Sequence, residues 1–94
     1  MTKAEARRII DSMPIPSAQA DAARRTIRRA TSSEEIEITL AIAGELIIKR
    51  SRLGKVGFQV LEDTIQPDGS KEVVQKAFDA SGNLIHHDPK GRSP

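Results

Sequence analysis

The sequence predicts an α+β fold: N-terminal helices, two short and one long, followed by a two- to three-stranded antiparallel β-meander. Three observations carry this expectation. Apolar residues recur at helical spacing through the first half, then alternate with polar ones from Val56 onward. Helix-start patterns stand at Thr2-Lys3-Ala4-Glu5 and Ser32-Ser33-Glu34-Glu35. Turn-forming runs, Pro67-Asp68-Gly69-Ser70 and Ala80-Ser81-Gly82-Asn83, divide the second half. Residues 1–88 are expected to form a single compact domain and residues 89–94 a flexible tail.

The first helix is expected over Lys3 to Ser12, with Thr2 as N-cap and Glu5 completing a capping box. Its apolar face is Ala6, Ile9, Ile10 and Met13, and Pro14 and Pro16 stop it. A second helix is expected from Ser17, read as its N-cap, to about Ala30. Ala20, Ala23, Ile27 and Ala30 make a narrow apolar stripe, and Arg24, Arg25, Arg28 and Arg29 occupy the other faces. The pairs Arg24/Arg28 and Arg25/Arg29 are like-charge neighbours, each costing a few tenths of a kcal/mol unless an anion relieves it.

Residues 32–54 read as the third, long helix. Ser32 and Glu35 suit its start, Lys49, Arg50 and Arg52 suit the negative end of its dipole, and Gly54 suits its stop. The rival is a hairpin over residues 36–48 turning at Ala43-Gly44, supported by the alternation of Ile36, Ile38, Leu40 and Ile42. Helix is preferred because caps agree at both ends and Ala-Gly is poor two-residue hairpin chemistry. Such a helix has two apolar stripes, and the one containing Ile38, Ile42 and Leu46 is expected to meet a second copy in a homodimer.

In the β half, Val56, Phe58 and Val60 begin a strand ending near Ile65. Lys71 to Asp79 gives the second strand and Leu84 to His87 a short third, closed by Pro89. The stretch Phe78-Asp79-Ala80-Ser81-Gly82-Asn83-Leu84-Ile85 resembles one unit of the tyrosine-aspartate repeats of large bacterial toxins, which implies a hairpin there and no activity.

Composition limits function more than it reveals it. There is no Cys, Trp or Tyr among 94 residues, and the aromatics are Phe58 and Phe78. Thiolate chemistry and cysteine zinc sites are excluded, and stacking-based recognition of single strands is disfavoured. No apolar run approaches a membrane span and no leader pattern opens the chain, so no membrane association and a cytoplasmic location are expected. Residues 1–55 carry eleven Lys or Arg against seven Asp or Glu, whereas residues 56–94 carry four against six. His86-His87-Asp88 invites a metal reading, but no cysteine or third histidine completes a site, and strand alternation separates the two imidazoles. Neither metal, cofactor nor catalytic residue is assigned, and no enzyme activity is expected.

The candidate binding residues are therefore Arg24, Arg25, Arg28 and Arg29, extended by Lys49, Arg50 and Arg52 into a basic face. The expectation is a small basic macromolecule-binding protein, a regulator, assembly factor or inhibitor, with an acidic protein partner or one that adds a strand to an exposed sheet edge. The alternative is weakly specific binding of a nucleic-acid phosphate backbone by the same cations.

Overall fold

The computed structural model describes residues 1–54 and 56–93, the last four by their backbone alone. Among these, two helices precede five strands: α1 (Lys3–Ser12), α2 (Ser17–Arg29), β1 (Glu35–Leu40), β2 (Leu46–Leu53), β3 (Gly57–Ile65), β4 (Lys71–Asp79) and β5 (Leu84–Ser93). The strands form one antiparallel sheet in the order β1-β2-β3-β4-β5. The α+β class stands, but the three helices and short meander are corrected to two helices and a five-stranded sheet. Residues 32–54 contain the β1–β2 hairpin in place of a long helix.

The turns explain that correction. Three hairpins share one loop pattern. Ala41 N donates to the Glu45 carbonyl (2.8 Å) and Gly44 N to the Ala41 carbonyl (2.9 Å). Gln66 with Ser70 and Gly69, and Asp79 with Asn83 and Gly82, repeat both bonds within 0.1 Å. Gly44, Gly69 and Gly82 all have positive φ, at 93°, 89° and 86°. This is the three-residue loop in which a turn is followed by one left-handed residue, so glycine is needed only at the last position. Ala-Gly is poor for a two-residue turn but sufficient here.

The caps behave differently at the two ends of the helical region. Thr2 and Glu5 form the expected capping box on α1. On α2 the N-cap position is held by Pro16, which offers no side-chain acceptor, and Ser17 is the first helical residue. Glu34, expected inside a helix start, accepts a hydrogen bond from Thr31 N (2.8 Å) in the turn leading to β1. The expected stop at Pro89 is also absent. The ladder continues through it, with Val74 opposite Pro89, Val73 opposite Gly91, and a register shift between them.

Helix α1 packs on β1, and α2 packs on β2 and β3. The core between them is aliphatic: Ala6 and Ile10 from α1, Ala20, Ala22, Ala23 and Ile27 from α2, and Ile36, Leu46, Ile48 and Ile65 from the sheet. The small stripe on α2 lets the helices approach closely, and each fully buried Ile or Leu contributes about 2–3 kcal/mol. Leu46 is fully buried in this core, Ile38 packs against it and Ile42 stands exposed at a turn. These three residues therefore do not share a surface, and the stripe from which a homodimer was expected does not exist.

Two polar anchors join α2 to the sheet. Gln19, itself buried, donates from Nε2 to the carbonyls of Gly44 (2.8 Å) and Ile65 (2.9 Å). The Asp63 carboxylate, 1% exposed, accepts from Thr26 Oγ1 (3.1 Å) and pairs with Arg50 (3.5 Å) and Lys71 (3.4 Å). No described helix is long and apolar enough to cross a membrane.

Candidate functional site

The arginines of α2 divide into one that is engaged and three that are free. Arg24 donates to Asp11 on α1 (Nε to Oδ1, 2.9 Å) and to Asp21 one turn back (3.0 Å). The Arg24 hydrogen bond, followed by that from Arg7 (3.1 Å), holds the Asp11 carboxyl below its ordinary value, and Asp11 raises Arg24 in return. Arg25, Arg28 and Arg29 are exposed, and no described carboxylate lies within ion-pair distance of them.

The β2 cations do not extend that group into one face. Side chains alternate across a strand, so Arg50 and Arg52 lie on the helix-covered side with Leu46 and Ile48. Lys49 lies on the opposite, open side, between Glu37 and Glu62 in register. Arg50 is committed to buried Asp63, and Arg52 donates to Gln59 Oε1 (3.2 Å). Of the seven residues read from the sequence as a basic face, only Arg25, Arg28 and Arg29 present uncommitted guanidinium groups on a single element.

A second surface comes from strand register. On the open side, Leu53 of β2 lies opposite Phe58 of β3, Phe58 opposite Phe78 of β4, and Phe78 opposite Leu84 of β5. The result is an apolar row across four strands. The two phenyl rings stack with centroids 4.8 Å apart and planes 16° from parallel. Leu53 is 90% exposed, Leu84 53%, and Val56 and Ile85 at the adjoining turn and strand are exposed as well. Val56, Phe58, Ala77, Phe78 and Ile85 line a shallow groove that curls round this end of the sheet. No element among the described residues covers it. The sequence alone could not place this row, because its members lie in four strands whose register depends on the turn type.

Glycine allows the row to form. A Cβ on Gly57 would overlap the Phe78 carbonyl oxygen and lie 2.6 Å from the carbonyl carbon of Asp79. The β4–β5 turn is tied by Asp79, whose Oδ1 accepts from the backbone N–H groups of Ser81 and Asn83 (2.9 Å each). Those bonds, that from Asn83 foremost, hold the Asp79 carboxyl below its ordinary value. Beside the row on the open side, Lys76 pairs with Glu62 (3.5 Å) and faces His87 across β4 and β5.

Among the described residues, no group of three or more His, Cys, Asp or Glu could hold a metal ion. The chain matches no family model, no curated protein and no solved structure at a significant level.

Proposed function

We propose that the protein works without catalysis, as a small binding protein whose contact surface is the uncovered end of its sheet. The supporting observation is the row Leu53, Phe58, Phe78 and Leu84, joined by Val56 and Ile85. Scattered exposed apolar residues are ordinary, but five gathered at one end of a sheet around the half-buried Phe78 are characteristic of interaction sites. Two stacked phenyl rings offer a rigid apolar contact at low entropic cost, the kind of anchor on which protein interfaces concentrate their energy. A regulator, inhibitor or assembly factor would use such a surface against another protein.

The test is affinity capture with three forms of the chain: wild type, a Phe58→Ser/Leu84→Ser double variant and an Arg25→Glu/Arg29→Glu double variant. A partner held by the wild type and by the arginine variant, lost from the row variant and retained in high salt supports the reading. Loss from the arginine variant alone overturns it.

A second reading has one specific observation in its favour. Arg25, Arg28 and Arg29 stand exposed without carboxylate partners, an arrangement suited to phosphate groups. It requires a labelled mixed-sequence duplex to bind with an affinity that falls log-linearly with salt. Binding unaffected by the Arg25→Glu/Arg29→Glu change removes it.

A further inference from the structure

Helices α1 and α2 pack side by side, and the groove between their outer flanks is lined by Lys3, Ala4 and Arg7 of α1 and by Arg24, Ile27 and Arg28 of α2. Four of these six residues are cations. Helical spacing puts them there: Lys3 and Arg7 are four apart on α1, and Arg24 and Arg28 are four apart on α2. Each helix therefore brings a like-charged pair to the same groove, and setting the pairs face to face adds to the repulsion.

Carboxylates offset only part of this charge. Asp11 accepts from both Arg7 (3.1 Å) and Arg24 (2.9 Å), and Asp21 from Arg24 (3.0 Å). Both acids stand on the side of the connection between the helices. Toward the other end, Lys3 Nζ donates to the Arg28 carbonyl (2.8 Å), which satisfies one of the last carbonyls of α2. Neither Lys3 nor Arg28 has a carboxylate within ion-pair distance among the described residues. Glu5, the other acid of α1, is occupied at the helix start, where it accepts from Thr2 N. Four cations against two carboxylates leave the groove with two positive charges unbalanced.

Size and charge narrow the ligand. The groove holds about 250 Å³, below the roughly 300–1,000 Å³ of pockets that enclose a whole small molecule, so it suits one compact anionic group. Guanidinium forks match phosphate oxygens, and the lysine ammonium adds a point charge. A phosphate monoester carries about −1.5 to −2 at neutral pH, close to the excess in the groove, whereas a backbone phosphodiester carries half of that. We propose that the α1–α2 groove is a binding site for a phosphate dianion, free or on a monoester, held by Lys3 and Arg28 with Arg7 and Arg24 beside them. The helices lie on the face of the sheet opposite the apolar row, so this site does not rest on the protein-contact reading.

The test is a chemical-shift titration of the full chain, at constant ionic strength, with inorganic phosphate, phenyl phosphate and the diester dimethyl phosphate. The two dianions are expected to move the backbone signals of Lys3, Ala4, Arg7 and Arg28, and to bind at least about fivefold more tightly than the diester. A Lys3→Gln/Arg28→Gln variant should keep its fold and lose at least about tenfold in affinity. An Arg25→Gln/Arg29→Gln variant, which alters cations about 100° further round α2, should bind as the wild type does. Should the first variant unfold, Arg28→Gln alone carries the same test, because it keeps the carbonyl that Lys3 bonds. Equal binding of the two dianions supports a site for free phosphate, and tighter binding of phenyl phosphate supports one for an esterified group. Equal binding of the diester, no binding at millimolar phosphate, or shifts centred on Arg25 and Arg29 overturns the proposal. So does a mixed-sequence duplex without terminal phosphates that displaces the dianions from the groove, which would make these cations readers of a nucleic-acid backbone.

Discussion

Gly57 and Phe78 approach so closely across β3 and β4 that the backbone of one leaves no room for a Cβ on the other. At the next register position Phe58 stands opposite Phe78, and their rings stack. Two turn glycines complete a graded comparison. Gly82 has positive φ with open space around it, and Gly69 adds the Ala18 carbonyl oxygen 2.9 Å from its would-be Cβ. Gly82→Ala should cost about 1 kcal/mol, from φ alone. Gly57→Ala should cost about 2–3 kcal/mol, because rigid backbone must move, with Gly69→Ala between them. Urea unfolding of the three variants checks the order; equal losses would mean that the β3–β4 approach is not tight.

Asp63 is the buried charge on which α2 and the sheet meet. Asp63→Ala would leave Arg50 and Lys71, 11% and 13% exposed, without their carboxylate, and Thr26 without its acceptor. A loss of about 3–5 kcal/mol is expected. Glu62→Ala, which removes the partly exposed pair with Lys76, should cost no more than about 1 kcal/mol. Thermal unfolding of the two variants separates the cases, and near-equal effects would show Asp63 to be dispensable.

Four carboxylates are held below their ordinary values by hydrogen bonds: Glu5 by Thr2, Asp11 by Arg24, Asp68 by Ser70 and Asp79 by Asn83. A carboxylate whose folded value is depressed contributes stability that is present above its unfolded value and lost as pH falls through the folded one. Their combined contribution should be constant from pH 7 to 5 and disappear below about pH 4, the ordinary carboxylate range. Unfolding midpoints measured down that series should fall only at the acid end, and Asp79→Asn should make the fall shallower. A midpoint unchanged at pH 3 would contradict the hydrogen bonding at these turns.

Much of the helical half was legible because its signals are local. The capping box at Thr2 and Glu5, the stop at Pro14 and the stripe Ala20, Ala23, Ile27 and Ala30 each depend on residues a few positions apart. The misreading of residues 32–54 came from signals that serve two structures. A Thr or Ser followed by Glu satisfies backbone donors in a turn as well as at a helix start, which is how Glu34 serves Thr31. Gly44 occupies the same loop position as Gly69 and Gly82, and the alternation of Ile36, Ile38 and Leu40 was the better guide. The candidate surface was not legible until that loop type was known. With it, Phe58 falls opposite Phe78, and Arg50 reaches Asp63 thirteen residues on.

The apolar row can be separated from the core by what it contributes to folding. Leu46 is fully buried, so Leu46→Ala removes transferred area and leaves a cavity, at an expected cost of about 2–5 kcal/mol. Leu53 and Leu84 keep most of their side chains in water. Replacing both with Thr, whose β-branched side chain favours strands, should change stability by no more than about 0.5 kcal/mol per site. The same double variant should lose the binding of a solvatochromic apolar dye that the wild type retains. Stability unchanged with dye binding lost would place these side chains on a surface kept for contact, because folding gains little from them. A large loss of stability would instead assign the row to the fold, and with it the strongest support for the proposed function would go.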